Sequence, residues 1–178
     1  MALLVVFAGL PGSGKSVLAR GVADAIGATY LRMDTIETAI VTTLMPFRGN
    51  PVGYVVAEWV AADQLAGGRD VVADAVNGVA AARDGWVGLA ARTGATLRFV
   101  EVLCSDAAEH RRRVEGRKPE LPGQGIPTWE QVQRRRYEPW PPELPGRLVV
   151  DNVGHAAGQV TRIVSELTAR GRADSGRA

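Results

Sequence analysis

The sequence has little of what secreted and membrane proteins need. Its 178 residues include one cysteine, Cys104, so no disulfide can form within the chain, which suits a reducing compartment. The longest apolar run, 2–10, is about half the length that a bilayer-spanning helix requires. No basic stretch precedes that run, so it also lacks the layout of a signal peptide. These absences predict a cytoplasmic protein that makes no membrane contact.

The sequence also has little excess charge. Lysine and arginine number 21, aspartate and glutamate number 19, and the net charge is +2. A nucleic-acid-binding protein usually has a stronger basic face, so this charge balance argues against nucleic acid as a partner. Lys15 and Lys118 are the only lysines, so nearly all basic residues are arginine. The abundance of arginine alone therefore indicates no function, and each arginine must be judged by its position. Apolar residues at 46% and charged residues at 22% predict an ordinary globular domain.

Strand and helix patterns alternate along the chain. A valine-rich run is typical of a parallel strand buried on both faces, and helical spacing followed by glycine predicts a helix and its end. These criteria predict strands at 3–8, 29–33, 70–75, 96–103 and 148–151. They predict helices at 16–26, from 34, and at 52–65, 79–92, from about 106, at 128–137 and at 155–169. The alternation predicts an α/β fold, a three-layer α/β/α sandwich around a five-stranded parallel sheet. We expect one domain over 1–170 and a disordered tail over 171–178.

A phosphate-binding motif joins the first strand to the first helix. It has the pattern of glycine, four residues, and then Gly-Lys-Ser. The glycines allow backbone N–H groups to surround an anion, and the helix dipole points at the same place. On an exposed loop, Lys15 would reach the β- and γ-phosphates, while the Ser16 hydroxyl would bind Mg²⁺. A plain glycine-rich turn would not require Lys-Ser. The motif therefore predicts binding of ATP with Mg²⁺, with GTP open as an alternative, by Gly9, Leu10, Pro11, Gly12, Ser13, Gly14, Lys15, Ser16 and Val17.

Further absences narrow the class of phosphate-loop protein. The sequence has no Asn-Lys-x-Asp for guanine recognition, and 178 residues leave no room for the extra helical domain of large AAA-type motors. What remains is a phosphate loop, an acid after the second strand and a basic segment after the fourth. This layout resembles the small P-loop kinases, AAA-type ATP-binding proteins, and within them the group of chloramphenicol phosphotransferases, zeta-toxin kinases and polynucleotide kinases. The likeness covers about residues 3–168 and implies a P-loop kinase fold with a mobile lid near 110–127.

Asp34 follows the second predicted strand. The resemblance implies that this residue takes the proton from the acceptor hydroxyl. Because parallel strands end at one crevice, Asp34 should face the phosphate loop. Asp34 and Glu37 also have the spacing of a capping box, in which Asp34 caps a helix and Glu37 is its partner. The sequence leaves both roles open, and one residue can perform both.

Asp74 closes the third predicted strand. It resembles a Walker B acid that holds Mg²⁺ through water, or an acid that orients the substrate. A carboxylate at the end of a buried strand needs a polar partner, which favours such a role. Asn77, in the following loop, is a candidate to hydrogen-bond the substrate. Arg83, on the next helix, is a candidate to contact the acceptor, with a surface salt bridge as the alternative.

A basic run after the fourth strand is the predicted lid. Arg113 and Arg117 are four residues apart and therefore share one helical face. The resemblance implies that such lid arginines neutralise the charge that develops during transfer. The alternative is a solvated helix with ion pairs at four-residue spacing, which we favour for Arg111 and Arg112.

Other polar residues carry weaker expectations. Of the three arginines at 134–136, at most one can face the site, and Arg136 is the candidate. His110 and His155 are expected to have no role. Cys104 is interpreted as a buried residue at a strand end.

The acceptor pocket is expected between the helix after Asp34 and the helix that bears Trp59. Candidates to line it are Phe47, Arg48, Tyr54, Trp59 and Trp86, although such aromatic residues are more often core. The predicted function is ATP- and Mg²⁺-dependent phosphorylation of a hydroxyl on a small molecule such as an antibiotic, a sugar or a nucleoside. The alternatives are a polynucleotide 5′-hydroxyl kinase and a nucleotide-binding regulatory or toxin-like module with little turnover. Both a monomer and a homodimer remain open.

Overall fold

The computed structural model describes residues 1–44, 51–141, 144, 146–154 and 156–175. Its strands are β1 (Leu3–Ala8), β2 (Thr29–Arg32), β3 (Val71–Asp74), β4 (Thr96–Leu103) and β5 (Arg147–Asp151). Its helices are α1 (Lys15–Ile26), α2 (Met33–Leu44), α3 (Val52–Ala66), α4 (Ala80–Thr93), α5 (Ala107–Glu115), α6 (Trp129–Gln133) and α7 (Ala156–Ser175). Within these residues, no helix combines the length and apolarity that crossing a membrane requires.

The five strands form one parallel sheet in the order β2-β3-β1-β4-β5. β1 is central, and its residues from Leu4 to Ala8 are 0% exposed. A parallel sheet of this kind is covered by helices on both faces, which explains the continuous apolar run in β1. The register pairs Phe7 with Asp74, and Asp74 with Arg32. The predicted five-stranded parallel sheet is thus confirmed.

Alternate side chains of the central strand pack into two separate cores. Val5 and Phe7 contact apolar residues of α1 and α7 on one face. Leu4 and Val6 contact those of α3 and α4 on the other face, where Trp86 is fully buried. Because successive strand side chains point to opposite faces, the central strand packs against both helical layers, as a three-layer sandwich requires.

The carboxyl ends of the strands meet at one edge of the sheet. The glycine-rich loop follows β1, Asp74 ends β3, and Asn152 follows β5. After β1 the chain crosses to the α1 face, whereas after β3 it crosses to the α4 face. A crevice opens where neighbouring connections diverge in this way, and ligands of parallel α/β sheets bind there.

Several boundaries differ from the sequence-based prediction, most of them by one residue. Met33 begins α2 instead of ending β2, and its apolar side chain packs into the core beside α3. Helix α6 covers only Trp129–Gln133, although the expected capping box between Thr128 and Gln131 is present. Helix α7 extends to Ser175, beyond its predicted end at 169 and into the range 171–178 that was predicted as a tail. Residues 176–178 lie outside the described residues.

Candidate active site

The phosphate loop, residues 9–16, has a backbone that requires glycine. Gly9, Gly12 and Gly14 have φ values of 147°, 86° and 86°, a region that other residues rarely adopt. A Cβ on Gly12 would lie 2.5 Å from Cγ2 of Val114, and a Cβ on Gly9 would collide with the carbonyl oxygen of Val102. The loop is therefore both conformationally restricted and tightly packed, as a rigid anion cradle at a helix N-terminus must be.

Lys15 is enclosed rather than exposed. It is the first residue of α1 and is 6% exposed. The expectation that it lies on an exposed loop is wrong, because the loop wraps around the start of the helix. A largely buried ammonium has less water around it and therefore acts more strongly on a neighbouring anion.

Asn152 and Arg113 hold the phosphate loop in place through hydrogen bonds to the carbonyl oxygen of Ser13. Asn152 is 4% exposed, and its Nδ2 donates to the carbonyl oxygen of Ser13 at 3.0 Å. Nη1 of Arg113 donates to the carbonyl oxygens of Asn152 and Ser13 at 2.9 and 3.5 Å. The predicted lid arginine Arg113 thus reaches the phosphate loop, where its observed contacts tie α5 to the loop and to the segment after β5. Sequence analysis missed Asn152, although a polar residue directly after a strand is the signal that identified Asp74.

His110 also contacts the phosphate loop, against the expectation that it has no role. Its Nε2 lies 2.8 Å from the carbonyl oxygen of Pro11 and donates to it in the Nε2–H form. Its ring packs edge-on against Trp129, with 5.2 Å between the ring centroids. Helix α5 therefore supports the loop through two side chains, His110 and Arg113. His155 lies outside the described residues.

We expect Gly14→Ala to weaken ATP binding much more than Gly27→Ala. Both glycines have positive φ, 86° and 67°, so both substitutions add about 1 kcal/mol of backbone strain. A Cβ on Gly14 would also collide with Nδ2 of Asn152, whereas a Cβ on Gly27 meets nothing within 4 Å. Titration with ATP should give a raised Kd for Gly14→Ala and a wild-type Kd for Gly27→Ala. Equal ATP affinity in the two variants would show that the loop tolerates this displacement.

Asp74 lies at the end of β3 with one carboxylate oxygen unused. The residue is 3% exposed, and Oδ2 accepts a hydrogen bond from the Tyr30 hydroxyl at 2.8 Å. Burial, the Asp74 charge and this hydrogen bond raise the pKa of Tyr30. Oδ1 is buried without a hydrogen-bond partner, which is costly for a carboxylate unless a ligand or water binds there.

These residues fit a magnesium ion that is held mainly by substrate phosphates. Among the described residues, no group of three or more His, Cys, Asp or Glu side chains could hold a metal ion. Mg²⁺ in phosphate sites usually keeps several waters and takes only one or two protein ligands. Ser16, at the start of α1, and the unused Oδ1 of Asp74 can provide such a limited set.

Asp34 lies in a cluster of cations at the start of α2. Its Oδ2 accepts hydrogen bonds from Arg117 Nη2 at 2.9 Å and from Gln124 Nε2 at 3.2 Å. Burial alone would raise the pKa of Asp34, but the charges of Lys15, Arg117 and Arg32 and the Arg117 hydrogen bond together lower it. The carboxylate is therefore ionised at neutral pH. Asp34 is the second residue of α2, and its bonds to residues 117 and 124 go beyond a helix-capping role.

Asn77 and Arg83, predicted to contact substrate, are instead buried structural residues. Asn77 is 0% exposed; its Nδ2 donates to the Phe7 carbonyl oxygen at 2.8 Å, and its Oδ1 accepts from Trp86 Nε1 at 3.0 Å. Arg83 is 2% exposed and donates to the carbonyl oxygens of residues 77, 138 and 139. Its guanidinium also lies over the Trp140 ring, 4.6 Å from the centroid. Their donors and acceptors serve the chain itself, which corrects the sequence-based assignment.

The structure describes three of the residues predicted to line the acceptor pocket, Tyr54, Trp59 and Trp86. Trp59 is 72% exposed on α3, and Trp86 is part of the core. Tyr54 is partly buried, and its hydroxyl accepts a hydrogen bond from the Asn77 backbone N–H at 3.3 Å. Phe47 and Arg48 lie outside the described residues. Helical spacing alone does not reveal which face of α3 meets the core, so the exposure of Trp59 could not be predicted from the sequence.

Two further charged residues, Glu37 and Arg135, lie near Asp34 and were not assigned to the site from the sequence. Burial and the nearby Asp34 charge raise the pKa of Glu37, while the Arg135 charge opposes that rise. Glu37 also packs beside Gly53, where an added Cβ would lie 2.9 Å from its Cγ. Arg136, the favoured arginine of its triplet, is 80% exposed and pairs with Glu138 at 2.6 Å. Arg135, which is exposed, is the arginine of the triplet whose charge acts on Glu37.

Cys104 is not buried as expected. It is partly exposed and is a free thiol whose Sγ lies 3.6 Å from the carbonyl oxygen of Asp106.

The favoured pairing of Arg111 with Glu115 is present at 2.8 Å, and Arg112 pairs with Glu109. The solvated-helix interpretation therefore fits Arg111 and Arg112.

Comparisons with known proteins agree with this architecture. Residues 4–139 match the AAA domain family. No curated protein matches the sequence significantly. A candidate kinase of Chloroflexus aurantiacus superposes with a TM-score of 0.75 at 18% identity, over 93% of this chain and 98% of that one. A gluconokinase of Sinorhizobium meliloti gives 0.68 at 19% identity, over 99% and 97%. The APS kinase of Mycobacterium tuberculosis, in complex with AMPPNP and APS, gives 0.69 at 21% identity, over 94% and 98%. The α/β P-loop kinase fold is thereby confirmed.

Proposed function

The chain belongs to the AAA domain family, and from that premise we propose that it is a kinase that transfers the γ-phosphate of ATP to a hydroxyl of a small molecule. One observation carries the proposal: the buried Lys15 at the phosphate loop lies close enough to Asp34 for its charge to lower the pKa of that carboxyl. Phosphoryl transfer requires a cation beside the phosphates and a polar group beside the attacking hydroxyl. The kinases among the similar folds support the same reaction class.

Each residue of the site has a separate task in this reaction. The phosphate loop and Lys15 bind the β- and γ-phosphates and stabilise the charge on the transferring group. Asp34, ionised at neutral pH, accepts a hydrogen bond from the acceptor hydroxyl and orients its oxygen for attack. Mg²⁺, when bound by Ser16 and Asp74, supplies further neutralisation of the phosphate charge. Because the transition state is loose, Asp34 needs to position the hydroxyl more than to remove its proton early.

We further propose that residues 110–127 form a lid on a single domain over 1–170. Support comes from three contacts that join this segment to the start of α2. Arg117 and Gln124 donate to Asp34, and Glu120 accepts from Arg32 at 2.7 Å. These bonds span more than 80 residues of sequence and close the segment over Asp34. Substrate entry requires them to break.

The acceptor is a small alcohol in this proposal, and the phosphate donor is ATP. The proposed relation to chloramphenicol phosphotransferases, zeta-toxin kinases and polynucleotide kinases remains a prediction, as do GTP use and the choice between monomer and homodimer. The acceptor group cannot be read from the phosphate machinery, because one fold serves many acceptors.

Steady-state release of ADP from ATP and Mg²⁺ tests the proposal. Turnover is expected to rise in the presence of a small alcohol from a panel of sugars, sugar acids, nucleosides and hydroxylated antibiotics. A rise only with a 5′-hydroxyl oligonucleotide would instead identify a polynucleotide kinase. ATP binding without acceptor-dependent turnover across the whole panel would identify a nucleotide-binding module and contradict the proposal.

We expect Arg117→Lys to lower kcat about tenfold or more, while Arg112→Lys leaves it unchanged. Arg117 Nη2 donates to Asp34 in the present structure, and in the proposed reaction its guanidinium neutralises charge on the transferring group; a lysine keeps the charge but loses the planar fork that can bind two oxygens. Arg112 belongs to the same basic run, but its side chain is 73% exposed and pairs only with Glu109 among the described residues. The measurement is kcat for both variants with the best acceptor. Equal kcat values in the two variants would contradict the proposed role of Arg117 in the reaction.

A further inference from the structure

A buried guanidinium with unused donors lies on the acceptor side of the site, and we propose that Arg32 binds a negatively charged group of the acceptor. This inference rests on the proposed kinase function and adds a substrate class to it. The acceptor is then a hydroxyl compound that also carries a carboxylate, phosphate or sulfate group.

Arg32 is buried but only partly hydrogen-bonded. The residue is 8% exposed, and its Nη1 donates to Oε2 of Glu120 at 2.7 Å. Its Nε and Nη2 are buried without a hydrogen-bond partner. Nη2 lies 3.6 Å from Oδ2 of Asp34, close enough for attraction but too far for a hydrogen bond. Leaving charged donors buried and unpaired is costly, which indicates a missing partner.

The two unused donors share one edge of the guanidinium. N–H groups on Nε and Nη2 point in the same direction and are spaced to bind two oxygens of one anion. A carboxylate, phosphate or sulfate offers such a pair of oxygens, whereas a neutral hydroxyl offers only one. Arg32 therefore has the free bidentate edge that distinguishes an anionic ligand from a neutral one.

The strand order assigns this edge to the acceptor rather than to ATP. Arg32 ends β2, the edge strand, and the phosphate loop follows β1, with β3 and Asp74 between them. The phosphates of ATP would lie at the loop and at the start of α1, two strands away. The 3.6 Å approach of Nη2 to Asp34 instead puts the anion beside the hydroxyl that Asp34 would orient.

The contact with Glu120 shows that a carboxylate on a largely exposed side chain can reach Nη1 of the Arg32 guanidinium. The Glu120 side chain is 57% exposed, yet its carboxylate contacts the buried guanidinium. Arg117 and Gln124 of the same segment bind Asp34. When the lid opens, both Arg32 and Asp34 lose these contacts together. An acceptor that carries both an anion and a hydroxyl can then replace both.

Anion binding to the protein saturated with AMPPNP and Mg²⁺ tests this inference, because the phosphate loop is then occupied. The probes are inorganic sulfate and D-gluconate, with D-glucitol as the neutral counterpart of gluconate, each titrated by calorimetry. Wild-type protein is expected to bind sulfate or gluconate but not D-glucitol, and the choice between them identifies a tetrahedral anion or a carboxylate. In Arg32→Gln the Kd should rise about tenfold to a hundredfold. Arg32→Lys should recover part of that loss, and Arg111→Gln, an exposed control, should match wild type.

Two binding results would overturn the inference and leave the kinase proposal intact, and one turnover result would do the same. One is the absence of sulfate and gluconate binding to the AMPPNP complex. The other is equal anion affinity in wild type and in a folded Arg32→Gln variant, with folding judged by Tm. In turnover assays, the same inference predicts that Arg32→Gln raises KM for an anionic acceptor while kcat changes less. Acceptor-dependent ADP release with neutral alcohols alone would keep the kinase function and exclude an anionic acceptor.

Discussion

Replacing Lys15 by methionine should lower the rate of phosphoryl transfer by about 10² to 10³-fold or more while the protein stays folded. The ammonium of Lys15 is the nearest fixed charge to the transferring group in the proposed mechanism, and no other side chain of the phosphate loop is cationic. Because Lys15 is only 6% exposed, an alanine would also remove a packed aliphatic stem. Methionine keeps most of that stem and removes the charge alone, although Lys15→Ala should abolish transfer as well.

The measurement is kcat with saturating ATP and acceptor, beside Tm. The control is Lys118→Met, since Lys118 is the only other lysine and its side chain is exposed. Both variants change the net charge equally, so a difference between them reports position rather than charge. Wild-type turnover in a folded Lys15→Met protein would rule out the phosphate-loop mechanism.

Asp34→Asn should lower kcat by about 10² to 10⁴-fold with little change in ATP affinity. Asparagine preserves shape and can accept one hydrogen bond from Arg117, but it cannot take a proton and carries no charge. The lowered pKa of Asp34 makes it a weak base that is ionised at neutral pH. A loss at the low end of the range would therefore indicate positioning of the hydroxyl, and a loss at the high end proton transfer. Asp84→Asn, an exposed acid on α4, is the matched control.

The stability of the same variant separates a catalytic role from helix capping. Asparagine caps a helix about as well as aspartate, so a residue that acted only as a cap would leave both Tm and kcat unchanged. The folded-state pKa of Asp34 lies below its unfolded value, so its ion pairs contribute stability above the ordinary carboxyl range. That contribution is lost as the pH falls through the lowered folded-state pKa. Wild type should thus exceed Asp34→Asn in Tm at pH 7, and the two should converge in strong acid. A wild-type kcat in Asp34→Asn would contradict the catalytic role of Asp34.

Local patterns in the sequence determined the sheet and its phosphate loop. Both the apolar run of β1 and the glycines before Lys15 are patterns of neighbouring residues. Their conformational preferences can be predicted without knowledge of the rest of the chain. The same holds for Asp74 and Asp34, because a polar residue after a parallel strand must lie at the carboxyl edge of the sheet. Sequence analysis therefore found the edge, the loop and both acids.

Only the tertiary structure decided how polar side chains are used at that edge. Asn152 contacts Ser13 across 139 residues, and Arg117 contacts Asp34 across 83. Asn77 has the type of side chain and the position after a strand that a substrate-binding residue would have. Its amide nevertheless hydrogen-bonds to the Phe7 carbonyl oxygen and to Trp86 Nε1. A hydrogen-bond partner so distant in sequence is chosen by packing, which orients each side chain only after the layers have assembled. For that reason the sequence identified which residues reach the crevice, and the folded chain decided which of them remain free to bind a substrate.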